Sequence, residues 1–548
     1  MLNKPDSEKE TRSLTILLLK EIIGIYRNRK RSLYICFVDL SKAFDSIPLE
    51  KLKAKLCAII PQSKLLSLII RLLENKAYKV LYNGEETHSF KLKNGIPQGD
   101  SMSPTLFCLY INEFLTILRQ NVNATDPPSI GDLRVASVVY ADDILLMSES
   151  QKGIIKQIKL LQKFCLENGL KINYNKTKIM ISSPGTNKCK YKHLNISSID
   201  ANHTIEIVDD YKYLGMWINT CKTNKCHIEN LAKKGKKSSF LTAKALKEFG
   251  HINGNLLYDT YETLTISKMK YGGELCFYDN LLILNQIQYQ FYKRFCSLRI
   301  TTPNYCLIGE FGIKPMEFHF YKAALRYWLK LSLANDKNLI KKAYDQIRSK
   351  IEEGCFTDTW CWHIKTLLYE LKLEDLWINQ TNIEKLNYNS YKNIINIRLT
   401  EHFREIWIKS AKHSNKGLDY LELSLFNCDM KHYLNFIMND KSVIQMLKLR
   451  TGNHILIVET DRFKNRRTYN ERICNLCSMQ KIQDLHHVII ECPKFSEQRS
   501  KLLKFLTLGN KNDFYYQLSV ISKNQMKSIT TFMEIVQETI QANTSSKN

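Results

Sequence analysis

The sequence predicts an α/β domain over about its first 220 residues, followed by a mainly α-helical region and a small metal-binding knuckle. Three observations carry this. Up to about residue 218, short strand-like apolar runs alternate with segments of helical periodicity. From about 225 to 450, strand signals fade and helical spacing prevails. A Cys/His cluster between 465 and 495 then breaks the pattern, and the tail TSSKN reads as disordered.

Taken in order, residues 14–26, LTILLLKEIIGIY, have helical apolar spacing and run into the basic stretch RNRKR at 27–31. LYICFV at 33–38 is a buried strand. VASVVY at 135–140, ILLM at 144–147 and KYLGMWI at 212–218 are further strands, with helices over 104–119 and 151–168. Irregular stretches near 249–255 and 301–313 interrupt the helical second half. A chain of 548 residues with 44% hydrophobic side chains can bury a sizeable core. Its 80 Lys and Arg against 54 Asp and Glu give a net charge of +26, a bias toward polyanions such as nucleic acid or acidic membranes. The opening MLNKPDSEKE is polar, and no apolar run approaches the ~18 residues needed to span a bilayer, so neither a signal peptide nor a membrane anchor is expected. Of the 16 cysteines, most read as small core residues, among them Cys57, Cys108 and Cys165.

Three aspartates stand out. Asp39 ends the apolar run 33–38, and Asp142 and Asp143 lie between two apolar strands, where a tight hairpin would expose both. Strands paired side by side would bring the three carboxylates together. Like charges packed that closely repel unless a cation joins them, and Mg²⁺ is a hard ion that takes oxygen ligands. Two such ions about 3.5–4 Å apart are what nucleotidyl transfer uses to activate a 3′ hydroxyl and neutralise pyrophosphate. Taken alone, the same aspartates also fit the plain role of turn residues.

The surrounding motifs carry a resemblance. FVDLSKAFDSI at 37–47 resembles polymerase motif A of non-LTR (LINE-type) retrotransposon reverse transcriptases, NGIPQGDSMSPTLF at 94–107 resembles motif B, and YADD at 140–143 resembles motif C. GLKINYNKTKIM at 169–180 is similar to motif D and YKYLGMWI at 211–218 to the motif E primer grip. The resemblance implies a right-hand reverse transcriptase palm, an α/β polymerase domain, over 33–220, with a remnant of fingers over 1–32. A thumb would follow over 221–300, an α-helical connector over 301–460, a CCHC zinc knuckle with a basic flank over 461–500 and a helical tail over 501–548.

It also implies residue roles. Asp39, Asp142 and Asp143 would hold two Mg²⁺, and Phe44 would stand where a bulky ring excludes a ribose 2′ hydroxyl, with a core Phe as the plain alternative. Gln98, Gly99 and Tyr140 would contact the nucleotide, Gly95 and Gly99 would let the main chain approach a base pair, and Lys176 would assist pyrophosphate departure. Lys233, Lys234, Lys236 and Lys237 on a thumb helix, with Arg462, Arg466 and Arg467 before the knuckle, would grip phosphates; for each lysine a solvated helix face is the plain alternative. Cys474, Cys477, His487 and Cys492 have the spacing of one structural Zn²⁺ site, and His486 could replace His487. KYGGELCFYDN at 270–280 and PNYCLIGEFGIKP at 303–315 resemble the family's connector.

The implied function is an RNA-directed DNA polymerase performing target-primed reverse transcription in the nucleus, after synthesis and RNA assembly in the cytoplasm. Its partners would be template RNA, a DNA primer or target and deoxynucleoside triphosphates, with the endonuclease separate or missing. Only 38 residues precede Asp39, so an N-terminal truncation is expected, most of the fingers being absent. A catalytically silent nucleic-acid-binding relic is therefore the second reading: intact aspartates favour the first, the short N-terminus the second.

Overall fold

A computed structural model describes residues 8–97, 99–183, 193–197, 202–221, 223–335, 338–380, 387–413, 420–438, 440–464, 467–506 and 511–545. The chain divides into two compact units, one of Met1–His227, Trp328–Glu370 and Glu374–Glu384, the other of Ile228–Tyr327, Leu371–Leu373 and Lys385–Asn548.

In the first unit, α1 (Glu8–Asn28) leads into β1 (Leu33–Val38), then α2 (Leu49–Ile59), α3 (Lys64–Glu74) and a hairpin of β2 (Leu81–Tyr82) and β3 (Glu85–Glu86). After α4 (Ser103–Gln120), α5 (Val122–Thr125) and the short pair β4 (Ser129–Ile130) and β5 (Leu133–Arg134) come β6 (Ser137–Tyr140) and β7 (Asp143–Ser148). Then follow α6 (Gln151–Glu167), β8 (Lys178–Ser182), β9 (His193–Ser197), β10 (Asn202–Ile207), β11 (Asp210–Tyr213) and β12 (Met216–Asn219). Six strands form one sheet in the order β6-β7-β1-β8-β10-β9. β1 is central, antiparallel to both β7 and β8, while β8 and β10 run parallel.

β1 is buried on both faces, which is why LYICFV reads as an unbroken apolar run and not as an alternation. Cys36 and Val38 join Ile144, Leu146 and Ile179 in a core closed by Phe107, Tyr110 and Phe114 of α4 and Ile158, Leu161 and Phe164 of α6. By the pleat, the equally buried Ile35, Phe37, Leu145, Met147 and Met180 face the other way. Each fully buried Phe contributes about 1.5–3 kcal/mol. Tyr110 Oη also donates to the Asn168 carbonyl at 2.6 Å, fastening α4 to the end of α6. Cys165 is buried in this core; Cys57 and Cys108, expected there too, are exposed, because they lie on the outer faces of α2 and α4.

Three other local readings change. The run 212–218 is not one strand: Leu214 (φ 46°) and Gly215 (φ 85°) make a tight two-residue turn between β11 and β12. The irregular stretch expected at 301–313 contains the helix Asn304–Phe311, bracketed by Pro303 at its start and Gly312 (φ 66°) at its end. Helices Leu339–Glu352 and Trp360–Glu370 fold with the first unit, where the Cys361 amide donates to Glu21 Oε1 of α1 at 2.9 Å. Burial pushes the Glu21 carboxyl up to about 8.

The second unit is helical. α7 (Lys225–Phe249) and α8 (Gly254–Tyr261) open it, and a buried ion pair organises its core. Arg450 Nε lies 3.0 and 3.1 Å from the two oxygens of Glu310, which also accept from Tyr433 Oη at 2.7 Å and Tyr420 Oη at 3.0 Å. No helix among the described residues is long and apolar enough to cross a membrane.

Candidate active site and metal centre

β6 and β7 are joined by the two residues Ala141 and Asp142, with Tyr140 paired to Asp143. Ala141 takes a left-handed conformation (φ 51°), as two-residue hairpins demand of their first turn residue. That turn leaves Asp142 exposed and Asp143 half-buried. In the next pair of strands Val38 faces Ile144, so one step on Asp39 lies beside Asp143. Three carboxylates thus share one end of three adjacent strands. Burial, then the charge of Asp142, then that of Asp39, push the Asp143 carboxyl up to about 6, against a downward pull from Arg12.

The end of β1 is held by the segment before β8. Asn173 N–H donates to the Asp39 carbonyl at 2.9 Å, the Asp39 amide to Thr177 Oγ1 at 3.3 Å, and Ser41 N–H to the Lys171 carbonyl at 2.8 Å. The exposed Lys176 ammonium sits 3.8 Å from Asp39 Oδ2. Beneath, Phe37 stacks on Tyr211 at 4.3 Å and leans on Tyr213 at 5.3 Å, so the β11–β12 hairpin braces the same strand end from below.

The loop before α4 is fastened to the chain after Asp39. Gly95 N–H donates to the Ile47 carbonyl at 2.8 Å and Ile96 N–H to the Phe44 carbonyl at 2.9 Å. A Cβ on Gly95 (φ 95°) would stand 3.1 Å from the Asp45 carbonyl oxygen and 3.2 Å from its Cα. The close approach Gly95 serves is therefore to its own chain; Gly99 (φ 89°) faces open space. Phe44 is half-buried, its ring 5.1 Å from Phe107. Ser103 Oγ donates to the Pro97 carbonyl at 2.6 Å, and Asp100, paired with Lys76 and held below the usual carboxylate range by it, accepts from Met102 N–H at 3.0 Å. Gln98 lies outside the described residues.

Sequence reasoning missed Arg12. Its Nε donates to Tyr140 Oη at 3.1 Å, and its guanidinium lies 5.6 Å from the ring centre, so Tyr140 is positioned from α1. No local pattern pairs residues 12 and 140. Thr177 and Tyr211 were inside quoted motifs, but their supporting contacts need the fold.

In the second unit Cys474, Cys477, His487 and Cys492 bring all their ligand atoms within 4.8 Å of one another, the one such group among the described residues. The three aspartates are set more openly. His487 Nε2 lies 3.4 Å from Cys477 Sγ, while its Nδ1 lies 3.3 Å from Glu491 Oε2 and its backbone N–H is tied to Asp484 at 2.8 Å. His486 instead lies edge-on against Phe514 at 5.6 Å. Both histidines face Glu491, His487 at 3.3 Å and His486 at 3.8 Å, but it is His487 whose ring nitrogen joins the three thiols.

Lys233, Lys234, Lys236 and Lys237 are exposed on α7, on either side of Gly235, whose buried face lies against Met269. Arg467 is partly engaged with Asp461 at 3.1 Å, and Arg472 Nη1 caps the Val458 carbonyl at 2.8 Å. Arg466 and the side chain of Arg462 lie outside the described residues.

Residues 5–218 match the family described as reverse transcriptase (RNA-dependent DNA polymerase). The Retrovirus-related Pol polyprotein from type-1 retrotransposable element R2 of Popillia japonica is 21% identical over 40% of this chain and 36% of its own length. That from type-2 element R2DM of Drosophila melanogaster is 26% identical over 40% of this chain and 20% of its own. The RNA-directed DNA polymerase from mobile element jockey of Drosophila funebris is 26% identical over 36% and 20%. The matches span about a third or less of these relatives. Telomerase from Candida tropicalis, solved with a fragment of telomeric RNA, covers 71% of this chain and 52% of its own at 12% identity and a TM-score of 0.30, too distant a likeness to bear on the site.

Proposed function

We propose that residues 5–218, which match the reverse transcriptase family and resemble non-LTR retrotransposon polymerases, copy RNA into DNA at the strand end bearing Asp39, Asp142 and Asp143. The observation that carries this is the register of β6, β7 and β1, which puts three carboxylates from two distant segments at one edge. Their all-oxygen donor set, and the repulsion felt by Asp143, fit two Mg²⁺. When bound, such ions supply a more acidic 3′ hydroxyl and a neutralised pyrophosphate.

The chain's own residues do the rest. Asp39, Asp142 and Asp143 hold the ions in register, Lys176 offers a proton or positive charge at the leaving group, and Phe44, anchored on Phe107, shapes the floor beneath the sugar. Gly99 leaves its face open, and it and Tyr140 are the described residues that would meet the nucleotide. The α7 lysines track phosphates of template RNA or primer DNA. Cys474, Cys477, His487 and Cys492, whose ligand atoms lie within 4.8 Å of one another with Cys477 Sγ 3.4 Å from His487 Nε2, would hold a structural Zn²⁺ that ties this segment together. The setting is target-primed synthesis in the nucleus, on a nicked end supplied by a nuclease.

The test is extension of a DNA primer on an RNA template by the purified chain. Mg²⁺-dependent addition of deoxynucleotides, abolished by Asp142→Asn with duplex binding intact, is the expected result. Duplex binding without addition would instead establish the silent, nucleic-acid-binding role.

A further inference from the structure

The helix Met316–Ser332 carries a group of charges that the polymerase reading does not use. His319, Lys322 and Arg326 stand at i, i+3 and i+7 and so share one face. His319 Nε2 lies 3.4 Å from Glu262 Oε1 on the π-helical turn Glu262–Ile266, an irregularity frequent at functional sites. On the other flank Phe318 meets Phe403 at 5.7 Å, bringing in the helix Tyr388–Lys412 with Lys392. Three elements of the second unit converge around Lys322.

The charge there is unbalanced. Lys322 is half-buried, and burial first, then the charges of Arg326, Lys392 and Lys270, lower its pKa, against a smaller opposing effect of Glu262. Burial pushes Glu262 up to about 7 and holds His319 neutral, down at about 3. Glu262, with Asp259 near it, faces Lys270, Lys322, Arg326 and Lys392, and Lys314 acts on His319 besides, so cations outnumber carboxylates here. Arg326 Nε is buried without an acceptor among the described residues. An unfilled cationic N–H amid excess positive charge is complementary to an anion with several acceptor oxygens.

We propose that Lys270, Lys322, Arg326 and Lys392 form a phosphate-binding site on the second unit that grips the backbone of a nucleic-acid strand. The site rests on the reading of the chain as a nucleic-acid enzyme, and the chain's net charge of +26 suits that ligand. Phosphates of RNA and DNA share the chemistry, so both strand types serve as probes.

The experiment is fluorescence anisotropy of the full chain with labelled single-stranded RNA and with duplex DNA, from about 50 to 200 mM salt, at pH 8. Lys322→Gln and Arg326→Gln should each weaken binding severalfold. Each should also flatten the log K against log salt slope by about 0.7 on single-stranded RNA or about 0.9 on duplex DNA, and the probe that responds identifies the strand. Lys270→Gln, at the surface, gives the same slope change with no threat to folding, and Glu262→Gln should tighten binding. Lys409→Gln, exposed on the helix that carries Lys392, should change neither. Wild-type affinity and slope in Gln variants that melt like wild type would overturn the site. Weakening by Glu262→Gln would overturn it too, by marking packing damage as the cause. If the wild-type chain binds neither probe, the polymerase reading falls with it.

Discussion

Replacing Gly95 by Ala should damage catalysis in a way that replacing Gly84 by Ala does not. Both glycines have positive φ, 95° and 87°, so an L side chain costs about 1–2 kcal/mol of backbone strain at either. At Gly84 nothing lies within 4 Å of the new Cβ. At Gly95 the Cβ meets the Asp45 carbonyl oxygen at 3.1 Å and Cα at 3.2 Å, both backbone, so the two segments must separate by a few tenths of an ångström. Overpacking of this kind adds about 1–3 kcal/mol. The separation also pulls on the hydrogen bonds from Gly95 and Ile96 to Ile47 and Phe44, which position the loop against the chain leaving Asp39. Urea unfolding should therefore place G95A below G84A by that increment. Primer extension should show kcat/KM for G95A reduced at least tenfold, about 1.4 kcal/mol of barrier, with G84A near wild type. Equal stability and equal kcat/KM in the two variants would refute the idea that this contact sets the loop.

Other outcomes follow from the same geometry. In EDTA, Asp143→Asn should raise the melting temperature above pH 6 and leave it unchanged below about pH 4. The raised pKa means that ionised Asp143 disfavours the folded state, a cost that is absent where both states are protonated, grows between about 4 and 6, and persists above. Arg450→Met strands the Glu310 carboxylate, whose pair is fully buried, and should lower stability by about 3–5 kcal/mol in denaturant titrations. Metal analysis should find one zinc per wild-type chain, lost in Cys477→Ser and retained in His486→Ala.

How much of this was legible in the sequence depends on the range of the interactions. LYICFV, ILLM and the Asp142 turn were readable because burial on both faces and a two-residue hairpin are local patterns. The Leu214–Gly215 turn was hidden within an apolar run, since Leu is a rare residue at positive φ. The helices α2 and α3 were passed over; α3 leaves Leu65, Leu68 and Leu72 exposed, so its stripe does not announce an inner face. Arg12 and Glu21 act on residues 128 and 340 positions away, which no window reaches. Cys/His spacing singled out four candidate ligands but left two adjacent histidines open; both face Glu491, and only the fold shows that His487, not His486, turns its Nε2 toward Cys477.

The central place of β1 has a consequence in time. Its neighbours β7 and β8 end at Ser148 and Ser182, so the strand carrying Asp39 cannot be enclosed until about 144 further residues have been made (182 − 38). At about 5–20 residues per second that is roughly 7–29 s on the ribosome with two apolar faces open. A strand so patterned is a target for mispairing and for chaperones during that interval. The site's three carboxylates are then assembled late, by the same closure that takes β1 out of water.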